Sequence, residues 1–320
     1  MRRVIIDTDT AGDDTVAILT ALHNFKVEGI TIAGGNVAFE HQVENALHTV
    51  EVSNQDYYVP VYRGHEGPMT QLPSETHRTV EEIHGERGMG DLVIETPKQE
   101  AENQHAVDFI IETVKSNPGE IELLTIAPLT NIAMAIKREP SILKDIKHIW
   151  IMGGINNRLG NIGAVAEFNF YVDPEAARIV LHSGVSMTMV TWDNTLDFGM
   201  MYEDDLKDIE NLNTNGSKFY IDVNMFVKNA NKEVHGFDAT SHPDALLVAI
   251  AADESLMRES TEYFVDVETT GDLTRGYNLV DKEKDLKQET NVRVCEKVDS
   301  AKFKEHLMEV LKAIDYVSVT

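Results

Sequence analysis

The chain alternates short apolar runs with longer stretches of helical periodicity. Val4-Ile5-Ile6 is an unbroken apolar run, which predicts a strand buried on both faces. Residues 15–22 carry helical spacing, 29–33 read as a second strand and 40–52 as a second helix. The alternation continues with strands over 59–62, 121–126, 146–152 and 185–191. Helices are predicted over 105–115, 129–137 and 173–182. Repeated βαβ units of this kind predict an α/β fold, a single large Rossmann-like domain with a mostly parallel central sheet flanked by helices. In such sheets ligands bind at the carboxyl ends of the strands.

Two stretches break the alternation. Residues 63–104 hold little periodicity and read as a long loop with some helix. Residues 193–243 are polar and helical, and are expected to form a lid over a pocket or an inserted subdomain. Near the end, 261–268, 277–280 and 291–294 read as strands of a small antiparallel part, and a helix over 300–314 closes the chain. No internal repeat, low-complexity tract or Pro/Ser-rich linker interrupts residues 1–320, so one domain is expected.

Composition narrows the function. Of 320 residues 42% are apolar, enough to bury a sizeable core, which excludes general disorder. Lys and Arg total 28 against 54 Asp and Glu, a net charge of −26 that repels phosphate backbones and anionic headgroups. A nucleic-acid or membrane partner is therefore not expected, whereas the charge does not exclude a small neutral substrate, and carboxylates can gather a divalent cation. The one cysteine, Cys295, excludes disulfide frameworks and thiolate metal sites. The first seven residues are too short for a signal peptide, and the longest apolar run, 245–252, is far below a membrane span. A soluble cytoplasmic protein is expected.

The candidate chemistry sits after the first strand, where Asp7, Asp9, Asp13 and Asp14 place four acids within eight residues. A helix N-terminus favours a negative group by roughly 0.3–1 kcal/mol, too little to hold four carboxylates at one turn. A hard divalent ion would neutralise them, since it takes carboxylate oxygens directly. A solvated acidic turn is the plainer alternative. A third is an aspartyl phosphatase: Asp-Thr-Asp-Thr-Ala nearly matches the nucleophile motif of the haloacid-dehalogenase type, which places Thr or Val where Ala11 stands and does not require Asp13-Asp14.

Further segments bear on the choice. Gly153-Gly154 is followed by Asn161, by Ala166-Glu167-Phe168-Asn169 and by Asp173-Pro174-Glu175-Ala176-Ala177. With the opening acids these resemble the nucleoside N-ribohydrolases, the inosine–uridine nucleoside hydrolase family. That family opens Asp-x-Asp-Pro-Gly-x-Asp-Asp. This chain keeps the four acids and replaces Pro-Gly by Thr10-Ala11. Gly35-Asn36-Val37, His84-Gly85 through Gly88-Met89-Gly90, Pro128-Leu129-Thr130-Asn131-Ile132-Ala133, Pro243-Asp244-Ala245 and Thr274-Arg275-Gly276-Tyr277 also match, in order, across nearly the whole chain.

The resemblance implies calcium-dependent hydrolysis of the N-glycosidic bond of ribonucleosides to free base and ribose. It places Ca²⁺ on Asp9, Asp14, Asp244 and the main-chain carbonyl of Ile126, with Asp7 supporting the shell. Asp9 would be the general base toward a calcium-activated water, and Asp13 would accept a hydrogen bond from a ribose hydroxyl. Asn36, Asn161, Glu167 and Asn169 would hold the remaining hydroxyls, with Met152 against the sugar and His84 near the base. It also implies a homodimer or homotetramer.

One departure stands out. Many members carry a His immediately before the last calcium Asp, thought to protonate the leaving base. Here that position is Pro243, which has no proton to give. His242 is shifted by one residue, so its side chain points elsewhere. His242, His235 and Tyr220 are carried as candidates for the leaving-group side, with a structural role the simpler reading of each. Trp192 reads more simply as core than as a stacking platform. The missing proton donor also keeps open a non-catalytic calcium- and ribosyl-binding homologue beside the phosphatase.

Overall fold

In the computed structural model, residues 1–70 and 79–315 are described, with every side chain among them except that of His235. Strands β1 (Arg3–Thr8), β2 (Lys26–Ile32), β3 (Val61–Arg63), β4 (Ile121–Thr125), β5 (His148–Met152) and β6 (Met187–Val190) alternate with helices. These are α1 (Gly12–Asn24), α2 (Phe39–Ser53), α3 (Glu81–His84), α4 (Ala106–Ser116), α5 (Thr130–Arg138), α6 (Phe168–Val172) and α7 (Pro174–Leu181). The next stretch holds α8 (Trp192–Phe198), β7 (Met200–Met201), α9 (Glu203–Leu212), α10 (Asn215–Ala230), β8 (Thr240–Ser241) and α11 (Pro243–Ala252). It is followed by β9 (Met257–Tyr263), β10 (Val265–Val267), β11 (Asn278–Val280), β12 (Val292–Val298) and α12 (Ser300–Ala313).

Eight strands form one sheet in the order β3-β2-β1-β4-β5-β6-β12-β9. Every pairing is parallel except β12 with β9. The mostly parallel α/β sheet expected from the sequence is thus present. The apolar triplet shows how it is held. Val4 and Ile6 join a core with α1, α2 and α11, and Ile5 joins the core on the other face with α4, α5 and α7. Successive strand residues point to opposite faces, so an apolar run buries both.

Three expectations need correction. The strand expected over 261–268 is two strands: β9 pairs with β12, and β10 pairs with β11 in a separate two-stranded sheet. Strand β12, expected in an antiparallel edge, runs parallel to β6 and carries only β9 antiparallel. The polar stretch 193–243 is mainly helical but also contains β7 and β8, which pair with each other. Among the described residues no helix is long and apolar enough to cross a membrane.

Two features aim the fold at one place. The chain leaves β1 toward β2 on one side and reaches β4 on the other, so the sheet order reverses between β1 and β4. The crevice outside the carboxyl ends of strands at such a reversal is where α/β sheets bind ligands. Helix α11 is the run of apolar residues seen in the sequence, buried from Pro243 to Ala251. A helix apolar all round must be enclosed, and α11 packs against α1 between the sheet and α12. Its N-terminus delivers Asp244 to the crevice. At the other end of β4, Glu122 is buried. Burial pushes its carboxyl up, but hydrogen bonds from Arg2, Lys147 and Trp150 outweigh that and hold it at about 2.

Candidate active site

The floor is built from the turn between β1 and α1. Asp9 follows the last residue of β1, and α1 starts three residues later. Ala11 caps this helix without a side-chain acceptor, and Asp14 reaches back to its N–H at 3.0 Å. Asp14 also accepts from the Thr8 hydroxyl at 2.6 Å and from Asn36 Nδ2 at 3.2 Å. Asp9 Oδ2 accepts the Asn36 main-chain N–H at 3.0 Å. The loop after β2 therefore fixes the loop after β1. Gly35 lets them approach: a Cβ there would overlap Asp9 Oδ2 and lie 2.7 Å from its Cγ. Gly35→Ala is expected to lower kcat/KM about 10²-fold with little loss of folded protein, because it displaces the Asp9 carboxylate by about 1 Å. Steady-state rates beside a thermal melt check this; an unchanged kcat/KM would show that the placement of Asp9 is not critical.

A cleft opens above the turn. Asp9, Asp13, Asn36, Ile126, Met152, Asn161, Glu167, Asn169 and Asp244 line it, as does His84. The structure thus gathers residues from the first and the second halves of the chain. Asp14 lies beneath this lining, buried, and its carboxylate converges with those of Asp13 and Asp244 so that one oxygen from each falls within 4.8 Å of the others. Asn169 Nδ2 reaches the carbonyls of Ile126 (3.4 Å) and Met152 (3.2 Å), which places the Ile126 carbonyl at the floor. Glu167 caps α6: it accepts from the Asn169 and Phe170 N–H groups and, at 2.7 Å, from Gly154. Asn161 Oδ1 accepts the Phe168 N–H at 2.9 Å, fixing the loop that carries it.

The electrostatics are those of an uncompensated acid cluster. Burial, then the neighbouring Asp14 and Asp13 charges, push Asp9 well above the usual carboxylate range. Burial and the charges of Asp13, Asp14, Asp9 and Glu167 do the same to Asp244. Burial foremost raises Asp13 to about 6, and both Asp14 and Glu167 to about 7. No Lys or Arg lines the cleft among the described residues. His84 does not supply the counter-charge, because burial lowers its pKa to about 4. Asp13 Oδ1 is buried without a hydrogen-bond partner, 3.7 Å from His84 Nδ1. Several buried carboxylates, one with an orphaned oxygen, are a donor set that fits a hard divalent cation. This set includes Asp13, which the resemblance assigned to a ribose hydroxyl rather than to the ion, beside Asp14 and Asp244.

The leaving-group candidates fare differently. His242 is fully buried and turned from the cleft: its Nε2 lies 2.5 Å from Tyr220 Oη and 2.8 Å from Thr240 Oγ1. Tyr220 is enclosed in the same network and does not line the cleft, so neither faces a substrate. The side chain of His235 lies outside the described ones. Asp7 is also absent from the lining. Its Oδ1 accepts from Thr31 Oγ1 at 2.5 Å and from Asn131 Nδ2 at 2.9 Å, which removes it as the exposed nucleophile a phosphatase requires.

Sequence reasoning missed several lining residues. Val80, Ile83, Ile162 and Phe168 form an apolar cluster across the mouth, and Trp192, read as core, lines the cleft. Asn231 and Ser241 also line it. A two-residue alternation around Ser241 was the available signal. Asp173, part of a quoted motif, is structural: it caps α7 and accepts from Thr130 Oγ1 and the Met69 N–H.

Comparison with known proteins points the same way. The profile of a family described as inosine-uridine preferring nucleoside hydrolase matches residues 4–305. A uridine nucleosidase of Arabidopsis thaliana is 34% identical over 282 residues, 87% of this chain and 82% of that one. A pyrimidine-specific ribonucleoside hydrolase of Escherichia coli is 31% identical over 301 residues, 93% of each. An uncharacterized Schizosaccharomyces pombe protein is 39% identical over 196 residues, and that match spans 62% of its length. Among solved structures, a purine-preferring ribonucleoside hydrolase from Gardnerella vaginalis superposes with a TM-score of 0.89 at 32% identity, covering 98% of this chain and 99% of that one.

Proposed function

The chain belongs to the inosine–uridine preferring nucleoside hydrolase family, hydrolases of N-glycosyl bonds, and from that premise we propose that it cleaves ribonucleosides to free base and ribose with calcium at the acidic floor. The observation that carries this reading is the convergence of the Asp13, Asp14 and Asp244 carboxylates beside a cleft lined by Asp9, Ile126, Asn36, Asn161, Glu167 and Asn169. Asp9, Asp14, Asp244 and the Ile126 carbonyl would hold the ion, with Asp13 beside them. When bound, calcium supplies a charge that orients a sugar diol and acidifies the attacking water.

The protein's own groups do the rest. Asp9 takes the proton of that water as it adds to the anomeric carbon. Asp13 accepts from a ribose hydroxyl. The Asn36, Asn161 and Asn169 amides hold the others, and Glu167 adds a carboxylate whose direction is locked by three main-chain N–H groups. Met152 packs against the sugar and His84 stands on the base side. Positive charge grows on the ribosyl ring as the bond breaks, and the surrounding carboxylates and amide oxygens stabilise it. The stretch 193–243 reaches the cleft through Asn231, Ser241 and Pro243.

The relatives are named for uridine, pyrimidine and purine substrates, so family membership does not choose the base. Release of reducing sugar from a panel of uridine, cytidine, inosine, adenosine and guanosine, at saturating calcium, tests the proposal. At least one is expected to be hydrolysed; no release from any would overturn it.

A further inference from the structure

Cleaving an N-glycosyl bond sends an electron pair to a nitrogen of the base, so the part of the lining that meets the base needs a hydrogen-bond donor. Pro243 has no N–H, and His242 does not line the cleft, its Nε2 being turned to Tyr220 and Thr240. Strand β8 explains the division. Successive residues point to opposite sides, so Thr240 and His242 face Tyr220 while Ser241 and Pro243 line the cleft. Asn231 is buried beside them. Its Nδ2 donates to the Ala239 carbonyl at 3.0 Å and to Ser241 Oγ at 3.3 Å, which commits both amide hydrogens. Ser241 Oγ is thereby an acceptor in that bond, and its own hydrogen has no acceptor among the described residues. Of the other polar groups, Asn161 Oδ1 accepts the Phe168 N–H, and His84 Nδ1 lies 3.7 Å from Asp13 Oδ1 without a hydrogen bond.

Resting on the nucleoside hydrolase reading, we propose that the Ser241 hydroxyl donates a hydrogen bond to the departing base and that Asn231 is the positioning residue that aims it. The anomeric carbon–nitrogen bond breaks with its electron pair going to the base. Water oxygen bonds to the anomeric carbon, and its proton passes to Asp9. Ser241 keeps its proton while it stabilises the charge on a ring nitrogen or carbonyl oxygen of the base. The free base is protonated by bulk water as it leaves, and Asp9 returns its proton to solvent. Ser241 thereby favours bases with an acceptor next to the scissile bond.

The test compares two leaving groups in the full-length enzyme. One substrate is the nucleoside that the wild type hydrolyses best. The other is 4-nitrophenyl β-D-ribofuranoside, whose nitrophenolate departs without help from a donor. Ser241→Ala is expected to lower kcat on the nucleoside on the order of 10²-fold with little change in KM, and to change kcat on the aryl riboside by less than about 3-fold. Ser241→Thr, which keeps the hydroxyl, is expected to recover most of the loss. Asn231→Ala is expected to show the same split between substrates at smaller amplitude. Equal losses on both substrates, or no loss on the nucleoside, would overturn the assignment. A wild-type enzyme that cleaves neither substrate fails the nucleoside hydrolase reading itself, a result separate from both.

Discussion

Asparagine in place of Asp9 is expected to lower kcat by about 10³–10⁴-fold while the protein stays folded. The substitution keeps the shape. An amide oxygen still accepts the Asn36 N–H that Asp9 Oδ2 holds at 3.0 Å, so the loop after β2 stays in place. What is lost is basicity toward the attacking water and one negative charge. Losing that charge also carries a sign for stability. Asp9 is raised by burial and then by the Asp14 and Asp13 charges, so its ionised form is disfavoured in the folded chain. Removing it relieves repulsion, and the melting temperature of the cation-free protein is expected to hold or rise. Rates fall while stability does not, which a merely structural residue would not produce. Steady-state kinetics and melts of the same preparation check both. A wild-type kcat in the variant would remove Asp9 as the base.

Chelation of divalent cations is expected to abolish turnover, and calcium to restore it. The folded chain holds Asp9, Asp13, Asp14 and Asp244 near one another with no Lys or Arg in the lining among the described residues. A cation that binds only the folded state stabilises it by about 2.7 kcal/mol at a hundred times its Kd. For a chain of this size that is a rise in Tm of roughly 5 °C. Asp244→Asn or Asp14→Asn should shrink the calcium-dependent shift, since each removes a carboxylate from the convergent set. Magnesium is expected to restore less, because its small octahedral shell dehydrates reluctantly and suits a flexible carboxylate set poorly. Full turnover after exhaustive chelation would end the metal proposal.

The order of these acids was visible along the chain, but their division of labour was not. Asp7 and Asp9 are two residues apart, a spacing that on a regular strand would face them the same way, but β1 ends at Thr8 and the two part. Asp7 is tied to Thr31 and Asn131, and Asp9 lines the cleft. The extended segment that leads to both was legible. The partners of Asp7 were not, because Asn131 lies on α5, 124 residues away. His242 and Ser241 show the same limit. Period two separates their directions, but which side is the cleft depends on Tyr220, carried by α10.

Local chemistry alone determined the architecture. An apolar triplet that buries both faces, repeated strand–helix alternation and an all-apolar run at 245–252 leave a parallel sheet with an enclosed helix as the consistent solution. It also placed four acids at a strand–helix turn. Only the tertiary structure decided that this turn meets Ile126 and Asp244, that Asp13 joins the convergent carboxylates, and that Ser241 faces the cleft in place of His242. The physical reason is distance along the chain. Periodicity constrains neighbours three or four residues apart. The contacts that make a site are closed by packing of helices and loops hundreds of residues apart, and that packing has no local signature.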